Sequence, residues 1–147
     1  MGNSKDCTRA ETPPGSQAPQ GDMQKNALSW FEIPAEDFER ARRFYSTIFA
    51  YDMPVMPVGD STLGILPYDE AAGGVGGAIN KNPSARPSPH GTLVYLNGGK
   101  DLATVLDRVV GAGGRIVMPK TMVTPEIGFI GLFEDSEGNI VGLHSMG

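Results

Sequence analysis

The stretch WFEIPAEDF, residues 30–38, recurs in the second half of the chain as LVYLNGGKDL, residues 93–102, with one extra residue in the second copy. Each copy begins as an apolar strand and leads to an aspartate, Asp37 or Asp101, that can cap a following helix. A second pair of segments matches in the same way, because VGGAIN (75–80) aligns with IVGLHS (140–145). This internal repeat of about 55–60 residues predicts two copies of one supersecondary unit.

Strand and helix patterns fill each copy in the order β-α-β-β-β. The apolar residues of the two helices recur at spacings of three and four, which predicts one buried face in each: Phe38, Ala41, Phe44, Tyr45, Ile48 and Phe49, then Leu102, Val105, Leu106, Val109 and Val110. The fold class is therefore α+β, with one βαβββ module at about 27–80 and another at about 91–145. The proline-rich segment between them, 81–90, reads as a linker.

Composition indicates one folded domain, residues 25–147, behind a tail. Residues 1–24 are rich in Pro, Gly, Ser and Gln without a hydrophobic period, so we expect a disordered segment. The net charge of -5 argues against binding to nucleic acid, and no apolar run is long enough to span a membrane. The single cysteine fits a reducing compartment, which favours a cytoplasmic location.

The paired modules, the Phe-Tyr step in the first helix and the closing D-x-E-G-N-x-x-G-L-H (135–144) resemble the vicinal oxygen chelate superfamily. That superfamily contains glyoxalases, bleomycin-resistance proteins and extradiol dioxygenases. WFEIPAEDFERARRFY and DSEGNIVGLHS are similar to a bacterial branch described as related to lactoylglutathione lyase. The resemblance covers about residues 27–145. It implies a rolled mixed sheet that forms a cup, and a homodimer in which the cup is completed by the second subunit.

In metal-dependent members of this superfamily, one side chain from each of four strands holds a metal in the cup. Carried over, these four positions fall on Trp30, Gly77, Leu93 and Gly142. None of these side chains can donate a lone pair to a metal. A shift of one residue gives no better set: Ser29, Ala78, Thr92 and Leu143. We therefore expect neither a metal nor another cofactor.

Glu32 is the candidate catalytic residue. A carboxylate within a short apolar strand is expected to be paired, protonated or functional. Burial would favour its protonated form and suit it to work as a general base. The structural alternative is an ion pair with Arg115 or Lys120, or a hydrogen bond to Tyr95.

The candidate ligand-binding residues are expected to line the cup together with Glu32: Trp30, Tyr95, Gly142 and His144. Trp30 would be either a core aromatic that plugs the cup or a wall on which a ligand stacks. Gly142 would leave an open space on its strand. His144 would be either a proton shuttle beside Glu32 or a hydrogen-bonded residue at the rim.

Three functions remain open from the sequence. The first is binding of a small organic molecule in the cup between the modules, with or without metal-independent catalysis. The second is a metal-dependent lyase or dioxygenase, and the third is a drug-sequestering protein of the resistance type. In each case the partner is a small-molecule ligand.

Overall fold

The computed structural model describes residues 25–147 and contains the two expected βαβββ modules. The first module comprises β1 (Trp30–Pro34), α1 (Phe38–Phe49), β2 (Val55–Val58), β3 (Ser61–Ile65) and β4 (Gly76–Lys81). The second comprises β5 (Tyr95–Asn97), two short helices α2 (Ala103–Leu106) and α3 (Val109–Ala112), β6 (Arg115–Thr124), β7 (Gly128–Glu134) and β8 (Ile140–Ser145). The α+β fold class is confirmed. The expected tail, residues 1–24, lies outside the described residues.

Each module contributes one four-stranded mixed sheet. The strand orders are β1-β4-β3-β2 and β5-β8-β7-β6, so the first strand of each module lies at a sheet edge. That strand pairs in parallel with the last strand of its module, whereas the other pairings are antiparallel. The repeat found in the sequence is therefore a repeat of topology.

The two modules share one hydrophobic core, which includes side chains from the helices of both. In α1, Phe44 and Tyr45 are buried, and the Phe44 ring lies 5.8 Å from the ring of Phe133 on β7. Asp37 caps α1 by accepting a hydrogen bond from the Arg40 N–H. Because α1 packs against the second module, removing either module would expose part of this core.

The turn DSEGN, residues 135–139, links the modules by hydrogen bonds. Asp135 accepts a bond of 2.7 Å from the buried Tyr45 hydroxyl, and Asn139 donates to the Pro34 carbonyl at 2.8 Å. Burial, together with the charge of Asp135, raises the pKa of Tyr45 well above its usual value. The phenol therefore stays a hydrogen-bond donor. The turn also needs a positive φ at Gly138.

Glu137 in the same turn accepts hydrogen bonds from the start of α1. Its carboxylate receives the N–H groups of Glu36 and Asp37 at 2.9 and 2.8 Å, and the Arg40 guanidinium at 2.7 Å. Burial alone would raise the pKa of Glu137, but bonds from Arg40, the Asp37 N–H and Ser136 hold it below its usual value. The residues of the motif that indicated the family thus join the two modules.

Two local expectations need correction. The helix expected after Asp101 is broken into α2 and α3, and Val110 is exposed rather than on the buried face. The linker contains a bridge between Asn82 and Ala85. Among the described residues, no helix is long and apolar enough to cross a membrane.

Candidate functional site

In the first module, Trp30 and Glu32 lie on the sheet face opposite the helices. Ile33 of the same strand is in the core, so its immediate neighbour Glu32 and the alternating Trp30 point the other way. Glu32 is in register with Ala78 on β4, and Asn80, two residues further, shares their face. We call Trp30, Glu32 and Asn80 the first-module patch.

In the second module, Tyr95, Gly142 and His144 occupy the equivalent face. Leu96 and Leu143 belong to the core, so the residues on either side of them point away from it. Tyr95 is in register with Gly142, as Glu32 is with Ala78. We call Tyr95, Gly142 and His144 the second-module patch.

Glu32 is exposed, which corrects the expectation of a buried carboxylate. Its two oxygens accept hydrogen bonds from the Asn80 amide at 2.6 Å and from the Trp30 indole at 3.2 Å. The two cationic partners proposed from the sequence are engaged elsewhere, because Arg115 pairs with Glu134 and Lys120 with Asp101. The proposed bond from Tyr95 is not formed either, since the donors to Glu32 within the described residues are Asn80 and Trp30. The burial that would suit Glu32 to act as a general base is therefore missing.

Gly142 does not leave an open space, contrary to expectation. A Cβ at this position would lie only 2.4 Å from the Tyr95 ring, so the ring occupies the room that the glycine leaves. Gly77 is filled in the same way by the ring of Phe31, and Gly76 by that of Tyr68. Gly77 also lies on the core-facing side of β4, so Ala78 is the first-module counterpart of Gly142.

His144 is half-buried, and its Nε2 bonds the carbonyl of Ile127. That bond requires the proton to be on Nε2 in the neutral ring. His144 borders a cleft of about 440 Å³ with Tyr95, Asn97 and Lys100, and Glu32 is not part of this cleft. The structure therefore fits the rim alternative for His144 and not a proton shuttle beside Glu32.

The cleft between the modules, which we call the inter-module cleft, has a volume of about 430 Å³. It lies between the connection from β3 to β4 and the strand β5. Aromatic rings from both modules line it: Phe31, Phe49, Tyr68 and Tyr95. Asp69 and Asn97 add polar groups at its border. Apolar walls with a few polar groups are the usual composition of a small-molecule site.

Three of these rings are not among the site residues predicted from the sequence: Phe31, Phe49 and Tyr68. Phe31 shares a strand face with the core residue Ile33, and Phe49 lies on the apolar face of α1, so both look like core residues in the sequence. Both do pack against the core while they reach the cleft. Tyr68 precedes the glycine-rich segment 73–77, and the small residues there give its ring room. An aromatic residue shortly before a run of glycines is therefore the sequence pattern that could have indicated the position of the Tyr68 ring.

Trp30 does not line either of the two clefts described above, but it contacts Tyr68, which lines the inter-module cleft. Its ring meets the Tyr68 ring edge-on, with centroids 6.3 Å apart. Trp30 is 38% exposed, so it is not a buried plug. Glu32 borders a third cleft of about 310 Å³, together with Arg86, Thr92 and Asn139. The candidate residues are thus spread over neighbouring surfaces rather than gathered in one cavity.

The four positions to which the resemblance assigns metal ligands do not fit a metal here. With Ala78 in place of Gly77 as the counterpart of Gly142, they carry the side chains of Trp30, Ala78 and Leu93 and no side chain at Gly142, so none supplies a donor atom. Within residues 25–147, no cluster of three or more His, Cys, Asp or Glu side chains could hold a metal ion.

A model of the Glyoxalase/Bleomycin resistance protein/Dioxygenase superfamily matches residues 27–143 of the chain. Similar solved structures include the antibiotic-binding protein TnmS3 from Streptomyces sp. CB03234, with 21% identity, a TM-score of 0.55 and coverage of 84% of this chain and 98% of that one. A glyoxalase-related enzyme from Fulvimarina pelagi has 17% identity and a TM-score of 0.57, covering 83% and 88%. The trypanothione-dependent glyoxalase I of Leishmania major has 16% identity and a TM-score of 0.58, covering 82% and 87%. The comparison with curated proteins gave no match.

Proposed function

Because the chain belongs to the glyoxalase, bleomycin-resistance and dioxygenase superfamily, we propose that it binds a small, partly aromatic organic molecule in the inter-module cleft, without a metal. The observation that carries this proposal is the set of four aromatic rings, from both modules, around one cleft of about 430 Å³. The superfamily name alone would not suffice, since one fold hosts many chemistries.

Binding is better supported than catalysis. A general acid–base mechanism needs titratable groups within hydrogen-bond reach of the same reacting atom. Here Glu32 bonds Asn80 and Trp30, whereas His144 bonds a backbone carbonyl in the other module. Glu32 and His144, the two candidates for proton transfer, therefore lie on different surfaces of the protein. The fold is compatible with a binding role, since TnmS3 is an antibiotic-binding protein.

A second copy of the chain is the proposed cover for the exposed sheet faces. Tyr95 is 46% exposed and Met56 on β2 is 48% exposed, and both point away from the core. Apolar side chains gathered on one face of a protein mark an interaction surface. A homodimer would bury them and would enclose the clefts further. Sedimentation of the purified protein as a monomer at micromolar concentration would refute this part of the proposal.

The binding proposal is tested with 1-naphthol, a neutral planar probe. We expect the probe to raise the melting temperature of the wild type, because a ligand that binds only the folded state stabilises it. Tyr68→Ala should abolish this increase, whereas Val110→Ala, a change on an exposed helix position, should preserve it. An equal increase in both variants would show that the probe binds elsewhere. The proposed cytoplasmic location is tested separately by fractionation of the source cells.

A further inference from the structure

Glu32 is an exposed carboxylate that the fold holds in one position. The Asn80 amide fixes one oxygen and the Trp30 indole fixes the other. None of the ion pairs formed among residues 25–147 includes Glu32. Arg86 borders the same cleft as Glu32 but does not pair with it. The negative charge is thus oriented, and no cationic side chain of the described part of the chain forms an ion pair with it.

The buried position of the Asn80 side chain lowers the stability of the fold. The residue is only 7% exposed, and its Oδ1 is buried with no hydrogen-bond partner among the described residues. A buried carbonyl oxygen without a donor is unfavourable. The amide nitrogen of the same side chain bonds only the Glu32 carboxylate. Supporting residues that are locked by packing and orient one exposed group are typical of ligand-binding sites.

The first-module patch is continuous with the inter-module cleft through Tyr68. The Tyr68 ring borders the cleft on one side and meets the Trp30 ring at 78° on the other. The face of an indole ring attracts a cation, and the attraction adds to that of a nearby carboxylate. The net charge of -5 favours the approach of a cation as well.

From this arrangement we infer that the ligand carries a protonated amine, which binds to the Glu32 carboxylate and the Trp30 ring while the apolar part of the ligand occupies the inter-module cleft. The inference rests on the proposed binding function and specifies the chemical class of its ligand. Glu32 is then a specificity-determining residue and Asn80 a positioning residue.

Three probes with the same phenyl group and different charge test the inference: phenethylamine, 2-phenylethanol and phenylacetate. Each is titrated into the full chain at constant ionic strength and followed by the emission of Trp30, the only tryptophan. Ligand-detected NMR gives a second readout that does not depend on Trp30. We expect the amine to bind about tenfold more tightly than the alcohol, the effect of one charge-assisted hydrogen bond, and the carboxylate to bind most weakly.

Glu32→Gln should remove the preference for the amine and leave the affinity for the alcohol unchanged. Glutamine has the same shape, and its single carbonyl oxygen can still accept the bond from the buried Asn80 amide, whereas the bond from the Trp30 indole to the second oxygen is lost. Asp60→Asn makes the same charge change in an exposed turn and should keep the preference. Equal binding of the three probes, or an unchanged preference in Glu32→Gln, would overturn the inference while leaving the cleft proposal intact. Failure of all three probes to bind would instead reject the proposed function, and the inference with it.

Discussion

Replacing Glu137 by alanine tests whether the DSEGN turn joins the modules. The substitution removes the acceptor for the Glu36 and Asp37 N–H groups at the start of α1 and for the Arg40 guanidinium. Losing a helix cap costs about 1 kcal/mol, and losing hydrogen bonds to a charged group costs about 1.5–3 kcal/mol. Arg40 is 48% exposed and can turn to solvent, which limits the loss. We therefore expect the free energy of unfolding to fall by about 2–4 kcal/mol.

The measurement is urea denaturation followed by circular dichroism, with Glu39→Ala as the matched control. Glu39 lies on the same helix but forms only a long surface contact of 3.8 Å with Arg42. Surface ion pairs contribute about 0–1 kcal/mol, so the control should change little. If Glu137→Ala proves no more destabilising than Glu39→Ala, the interpretation of the turn as a link between modules is wrong.

Four further outcomes follow from the structure and the sequence. Folding depresses the pKa of Glu137, so the ionised carboxylate stabilises the fold at pH values above its usual pKa. This stabilisation is lost as the pH falls through the depressed pKa. The urea midpoints of the wild type and of Glu137→Gln should therefore converge in acid. Gly142→Leu should displace the Tyr95 ring and lower the free energy of unfolding by about 1–3 kcal/mol, and an unchanged urea midpoint would mean that the space was free. Deleting residues 1–24 should shift the melting temperature by no more than a few degrees, or roughly 1 kcal/mol, and a larger fall would show that the segment docks on the domain. Elemental analysis of the purified protein should find no stoichiometric metal, and one tightly held ion per chain would contradict the conclusion that the four strand positions cannot hold a metal.

The sequence predicts the fold because each level of the pattern repeats. Helix spacing, strand alternation and turn residues agree in both copies, and the first and last strands of each module pair in parallel. The second pair of segments is aligned one residue out of step, because Ala78 rather than Gly77 is the counterpart of Gly142. The helices depart from the prediction in one place. The residues after Asp101 have the right apolar spacing, but the helix is interrupted between Leu106 and Val109, and Val110 is exposed.

The site is predicted less well, because its shape depends on side chains that meet across strands. Alternation places Glu32 on the correct face but does not tell whether that face is covered. Likewise, a glycine in a strand signals a missing side chain, while the neighbour that fills the gap lies on another strand. Tyr95 over Gly142 is such a case. Contacts of this kind follow from register and twist, which one sequence specifies only in part.

The two modules use the connection between their last two strands in opposite ways. In the second module this connection, residues 135–139, is tied to α1 and to β1 by the bonds of Asp135, Glu137 and Asn139. In the first module the corresponding connection, residues 66–75, borders the inter-module cleft and is largely exposed. One connection thus joins the modules, whereas the other borders the inter-module cleft. We therefore expect insertions and substitutions in 66–75 to change the lining of the inter-module cleft while the hydrogen bonds that join the modules stay intact, which makes this connection the place at which to begin redesign of the cleft.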